Sequence, residues 1–434
     1  MFRFLMNKSL YILAILACLL FGGCLEDRFD AGLFNSNLAA ADYWSDEPQI
    51  LSAGVGFADI IAVDFEEVNK ENALAAGAAW LDDLDCDVEE DPGLFSQLTL
   101  TSTVDLGYRG TADLTNLKDG ALGLDGQPIV FSWPVLSAEV HPEDFQITLS
   151  TGEIVFPQYA GMFPNWEYNE RNCVVLFGEV CNRLPSTDPS ARFPVKVEIV
   201  DDGTPIMLIG PGQQIESAVG LSWETTTSPY DENNGPRLVG AKLNYCGTAA
   251  RGEGAAGAIF ERSVIPNDEF AVWGGGDFRL RMLTTGGFSP DGVRGVKPTD
   301  FEKHFIIHAL GENGDTVLID KVGQDFLVKG GSLRVIGLSD LGLAQDSYDD
   351  CYSEDRDNYI DIILEGDDAA ARNITFLEIP SLEGGYTPFY NPGGPGTTPT
   401  PGVSYSAPGP RDLEPVIMAL DDPMRVSYDA FRHN

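Results

Sequence analysis

Short apolar runs broken by Gly, Pro, Asp and Asn dominate this chain from about residue 96 to residue 245. Runs of this length, rich in β-branched and aromatic residues and bounded by turn formers, predict strands. Leu98 to Val104, Pro128 to Val135, Cys173 to Phe177 and Leu238 to Tyr245 are four of them. Phe145 to Leu149 and Ile154 to Phe156 flank Ser150-Thr151-Gly152-Glu153, which predicts a hairpin with Gly152 in its turn. Val195 to Val200 and Ile206 to Ile209 flank Asp201-Asp202-Gly203, where glycine can supply the positive φ of a tight turn. A second block, 255 to 380, repeats the pattern. Phe278 to Leu283 alternates, and Phe305 to Leu310 with Thr316 to Ile319 frame the turn Glu312-Asn313-Gly314-Asp315. Leu333 to Leu338 and Tyr359 to Leu364 are further strands, and Gly330-Gly331 reads as a hairpin turn. One stretch has helical spacing. Asn69 can cap 66 to 85, and Ala73, Leu74, Ala76, Gly77 and Trp80 form a stripe. The pattern predicts a mainly β protein with two β-sandwich domains and a short N-terminal helix. Residues 391 to 410, dominated by Pro, Gly and Thr, read as an extended linker.

The first two dozen residues follow another logic. Arg3 and Lys8 give a short positive region, and Leu10 to Leu20 an apolar run. As a helix, about eleven residues cannot cross a hydrocarbon layer of roughly 30 Å. Phe21-Gly22-Gly23-Cys24 then places two small residues before a cysteine. This resembles the lipobox of bacterial lipoproteins, which prefer Leu where Phe21 stands. The resemblance implies cleavage before Cys24 and lipid attachment at its thiol, with a tether behind it. Inner-membrane retention in that class goes with Asp at the second position; Leu25 does not fit, which favours the outer membrane, with the protein facing the periplasm or the surface. The organisation expected is 1–23 signal peptide, 24–50 tether, 51–95 strand and helix, 96–250 first sandwich, 251–385 second β-rich domain, and 386–434 linker and tail.

Charge narrows the function. The 434 residues carry 67 acidic and 27 basic side chains, a net charge of −40. Such a chain repels nucleic acid and anionic membrane surfaces, so nucleic-acid binding is excluded and any membrane attachment must come from lipid. Hydrophobic residues make up 43%, enough for real cores. The carboxylates form a solvated surface, with room for divalent-cation sites among them. Asp346, Asp349, Asp350, Asp355 and Asp357 are the best set for Ca2+, which takes six to eight oxygens. The segment departs from the EF-hand pattern at Tyr359 and Ile360. The cluster Asp82, Asp83, Asp85 and Asp87 is a second, poorer candidate.

Export implies an oxidising compartment. Cys86, Cys173, Cys181, Cys246 and Cys351 remain beyond Cys24, an odd set. Cys173 with Cys181 and Cys246 with Cys351 are the pairs considered. A straight strand would hold Cys173 and Cys181 about 26 Å apart, so their bond needs a sharp bend near Gly178.

The run FSWPVLSAEVHPEDFQITLSTGEIV, then VVLFGEV and FPVKVEIV, is similar to bacterial Ig-like domains of surface proteins. The likeness covers about residues 130–200. It implies a spacer or adhesive fold and brings no catalytic residues. Other chemistry is sparse. His304 and His308 lie four apart without the Glu of a zinc-protease motif, and a strand would hold them about 13 Å apart. His141 sits in the turn before the Phe145 strand, with no sequence-local partner. Ser289 stands in a glycine-rich turn, and Glu167 with Glu170 lies near Trp166 and Tyr168. None forms a recognisable catalytic set. The expectation is a lipid-anchored exported β-sandwich protein that binds or scaffolds, with a surface protein or polysaccharide as ligand class. The alternative is a secreted hydrolase with a site assembled from distant acidic residues.

Overall fold

The computed structural model describes residues 43–54, 71, 125–136, 140–162, 171–182, 186–210, 215–228, 231, 237–246, 272–285, 296–341, 346–348, 358–380, 390–392, 404–406 and 411–421. The protein is mainly β, with strands packed as sandwiches. The helix expected over 66–85 and the strand expected over Leu98 to Val104 lie outside the described residues, Glu71 apart.

Two four-stranded antiparallel sheets form the first sandwich. One has the order β1 (Ile50–Ser52), β2 (Asp125–Phe131), β6 (Cys173–Gly178), β5 (Tyr159–Gly161). The other has the order β10 (Ser222–Glu224), β7 (Pro194–Ile199), β3 (Phe145–Leu149), β4 (Ile154–Val155). Alternation fixes which residues fill the space between them. β3 buries Phe145, Ile147 and Leu149 and leaves the residues between half-buried. These meet Ile129, Phe131, Val174, Leu176, Val197 and Ile199 in one core with Trp133. Gly152 turns the β3–β4 hairpin at φ 84°. Gly203 has φ 104°, as the Asp-Asp-Gly signal requires. However, the strands on either side of that turn do not pair with each other, because β8 (Met207–Ile209) pairs with β9 (Ile215–Ser217) in a separate ribbon.

The remaining strands form a larger unit. Its order is β14 (Thr316–Ile319), β13 (Ile306–Leu310), β18 (Ile374–Ile379), β21 (Asp412–Met418), β11 (Leu238–Tyr245), β12 (Phe278–Thr284), β17 (Tyr359–Gly366), β16 (Gly331–Ser339), β15 (Phe326–Val328). β21 is the corner. Its first half, Asp412 to Pro415, pairs antiparallel with β18, and its second half, Val416 to Met418, pairs parallel with β11. Pro415, which has no N–H to donate, stands where the strand changes partner. A strand shared this way lets one sheet fold over upon itself. Residues from both sides of the corner then share one core: Leu243, Leu280, Met282, Ile362 and Val335 with Ile307, Ile319 and Leu377. At the open side Lys329 N donates to Leu310 O at 2.8 Å.

Three expectations are corrected here. Leu238–Tyr245, expected to close the first sandwich, is hydrogen-bonded into the nine-stranded sheet instead. The stretch expected to be extended linker contributes a short ribbon, β19 (Tyr390–Pro392) with β20 (Ser404–Ser406). His304 ends a short helix, α1 (Phe301–His304), while His308 lies on β13, so the two do not share a strand. Phe305 at the helix end has extended backbone, which sets the break between them. The hairpins at Gly314 and at Gly330-Gly331 form as the turn residues predict.

The two units are joined face to face. β6 is buried along its whole length. Val174 and Leu176 point into the first sandwich, while Cys173, Val175 and Phe177 pack with Trp44, Val130, Leu283 and Tyr359 against the second unit. The β2–β6 sheet is thus a middle layer, between the β3–β7 sheet on one side and the β11, β12 and β17 face of the folded second sheet on the other.

Candidate functional site

The opposed face of the second unit is polar yet buried. Lys242, Arg281, Asp361 and Ser339 stand abreast on β11, β12, β17 and β16, all at 0–1% exposure. Arg281 Nε donates to Asp361 Oδ1 at 2.7 Å and its Nη2 to Asp361 Oδ2 and Asp340 Oδ2, each at 2.6 Å. Asp340 adopts φ 61°, the only non-glycine among the described residues at positive φ. Lys242 Nζ donates to Tyr43 O at 3.0 Å and lies 4.7 Å from the Trp44 ring centre. Tyr359 Oη donates to Asn172 Oδ1 at 2.6 Å, and Asn172 Nδ2 donates to Phe131 O at 2.8 Å. Closed from water, this layer ties the two units together through Lys242 with Tyr43 and Tyr359 with Asn172. Two smaller networks lie nearer the surface. His308 Nε2 meets Glu378 Oε2, with Arg411 Nη1 3.6 Å from the same oxygen. Arg372 ties Asp368, Asp421 and Tyr245 together.

A different arrangement stands at one end of the first sandwich. A 3-10 turn, Pro142–Asp144, enters β3, and the Asp201-Asp202-Gly203 turn leaves β7 beside it. Pro142 opens that turn, and Asp144 Oδ2 accepts the His141 backbone N–H at 2.8 Å, closing a capping box. Val200 N donates to Asp144 O at 2.8 Å and fixes the two turns together. His141 Nδ1 comes within 3.0 Å of Asp202 Oδ2, and Thr204 Oγ1 is also 3.0 Å from that nitrogen. Asp202 Oδ1 accepts Thr204 N–H and Oγ1–H, both at 2.7 Å. One ligand atom each from His141, Asp144 and Asp202 lies within 4.8 Å of the others.

The electrostatics of the two acids differ. Asp144 is fully buried, and its Oδ1 receives no hydrogen bond. Burial pushes its carboxyl above the usual range, the His141 N–H opposes this, and the Asp202 charge adds to it. Asp202 is held below the usual range, first by the Thr204 hydroxyl and next by the Thr204 N–H. The sandwich end therefore sets two carboxylates near each other beside an imidazole whose side chain is 42% exposed. Their chemistry is that of a cation-accepting corner.

Of the residues singled out from sequence, Cys173 and Cys181 are not brought together. β6 runs straight from Cys173, which packs toward the second unit, whereas Cys181 packs on the core of the first. The chain bends at Glu179, but only after β6 has run straight to Gly178, too late to return Cys181 to Cys173. Cys246 is buried where β11 ends, beside Gly276. Asp346 is exposed. Cys24, Cys86, Cys351, Asp349, Asp350, Asp355, Asp357, Glu167, Glu170, Ser289 and the acidic cluster at 82–87 lie outside the described residues. Sequence reasoning noticed His141 and the Asp201-Asp202-Gly203 turn separately. Nothing local joins residues 61 positions apart. No helix among the described residues is long and apolar enough to cross a membrane. No family model, curated protein or solved structure matches this chain.

Proposed function

We propose that this protein is an exported, lipid-anchored binding or scaffolding module of a bacterial cell envelope, attached through Cys24 and favouring the outer membrane. The observation that carries this reading is the order Arg3 and Lys8, the apolar run Leu10 to Leu20, then Gly22-Gly23-Cys24. A thioether-linked diacylglycerol with a further acyl chain would bury methylenes at about 0.8 kcal/mol each, a stable anchor without any basic patch. The stacked sheets support a binding or spacing role. Their buried charges act on one another, and their turns and edges are what a partner outside the membrane would meet. A surface protein or a polysaccharide is the ligand class proposed.

The test is metabolic labelling with a radioactive fatty acid in cells expressing the full chain. Wild type should carry label and sediment with membranes, while Cys24→Ala should lose the label and retain its precursor length. Equal labelling of the two proteins would overturn the anchor.

A further inference from the structure

We propose that His141, Asp144 and Asp202 form a binding site for a divalent transition-metal ion of the Zn2+ class. Three observations carry it. The first is ligand chemistry. One imidazole nitrogen with two carboxylates suits zinc and its neighbours, whereas calcium and magnesium take oxygen alone.

The second is distance. At Zn–N and Zn–O lengths of about 2.0–2.2 Å, tetrahedral ligand atoms stand roughly 3.3–3.5 Å apart. His141 Nδ1 and Asp202 Oδ2, at 3.0 Å, are already near this spacing. No pair of ligand atoms in the cluster exceeds 4.8 Å. Closing by at most about 1.5 Å would complete a three-ligand set. The two turns that carry the ligands are pinned to each other by Val200 N and Asp144 O.

The third observation is independent of the cluster's own hydrogen bonds. Asp144 is buried completely, and its Oδ1 accepts from no donor. A buried carboxylate oxygen without a donor loses its hydration and gains nothing in return. A cation held by the Asp144 carboxylate would offset that loss and also relieve the repulsion between the two acids. His141, half open to solvent, gives the ion a route in. Binding needs Nδ1 free of its proton, which an imidazolium would release to solvent and a neutral ring would carry on Nε2 instead.

The full chain in detergent is loaded with Co2+ or Zn2+, passed through a desalting column and analysed for metal. His141→Gln and Asp202→Asn serve as variants, because neither removes the buried Asp144 side chain. Asp188→Asn, a partly exposed carboxylate elsewhere in the same sandwich, is the control. Wild type and the control should retain about one ion per chain more than either variant. The visible Co2+ band should vanish in His141→Gln, and excess Ca2+ should leave it in place. Equal metal content in all four proteins, or displacement of Co2+ by equimolar Ca2+, would overturn the assignment.

Discussion

Glu414 shows what position does to a single side chain. It shares a face of β21 with Val416 and Met418, which pack against the core of the second unit. Burial first, and the Asp412 charge second, push its carboxyl up to about 7, with Arg237 opposing. The unfolded chain releases this proton near the ordinary 4.5. Between those values the folded state holds a proton that the unfolded state has lost, so stability falls as pH rises, and the loss is complete above about pH 7. The loss amounts to about 1–3 kcal/mol for a half-buried group. Glu414→Gln should flatten the pH dependence of the urea midpoint across this window and raise the midpoint at pH 8 relative to wild type. An unchanged slope would remove Glu414 from the account. Partners of this kind were not legible in the sequence. In FRLRML the alternation of Arg279 and Arg281 with apolar residues resembles a strand with one wet face. Both faces are covered, and Arg281 meets acids 59 and 80 positions away. The pairing of His141 with Asp202 escaped notice for the same reason. Each half of that site is a good local turn, and only the packing of β3 beside β7 joins them.

Elements were legible where their cause is local. The β3–β4 and β13–β14 hairpins follow from Gly152 and Gly314, each at positive φ and each needing nothing beyond a few neighbours. β21 had no such signal. Its sequence DLEPVIM carries two acids and a proline, which argue against a strand within a sheet. It becomes one because its halves serve different neighbours, and the proline falls between them. The consequence is testable. A chain ending at residue 410 loses the corner strand, leaving the β11 and β18 edges unpaired and the core around Leu243 and Leu377 open. It should aggregate or be cleaved within the second unit under limited proteolysis, where the full chain resists. A truncated protein with the wild-type urea midpoint would show that β21 is dispensable.

At the scale of the whole molecule, the middle layer decides how the protein unfolds. β2 and β6 present one apolar face to the first sandwich and another to the second unit, so neither can open without exposing the other's core. Polar ties run through the same surface. Lys242 reaches Tyr43, and Tyr359 reaches Asn172, which in turn holds the Phe131 carbonyl. A net charge of −40 pushes the parts of the chain away from one another, and these buried contacts oppose it. The two β units should therefore melt in a single transition. Tyr359→Phe leaves the Asn172 carbonyl oxygen buried without this donor, a change that destabilises by about 1–3 kcal/mol. Because the contact crosses between units, the variant should lower hydrogen-exchange protection in β3 and β7 as well as in β12 and β17, and its melt should stay single. If protection falls in β12 and β17 alone, or the melt splits in two, the layers are independent bodies that merely touch.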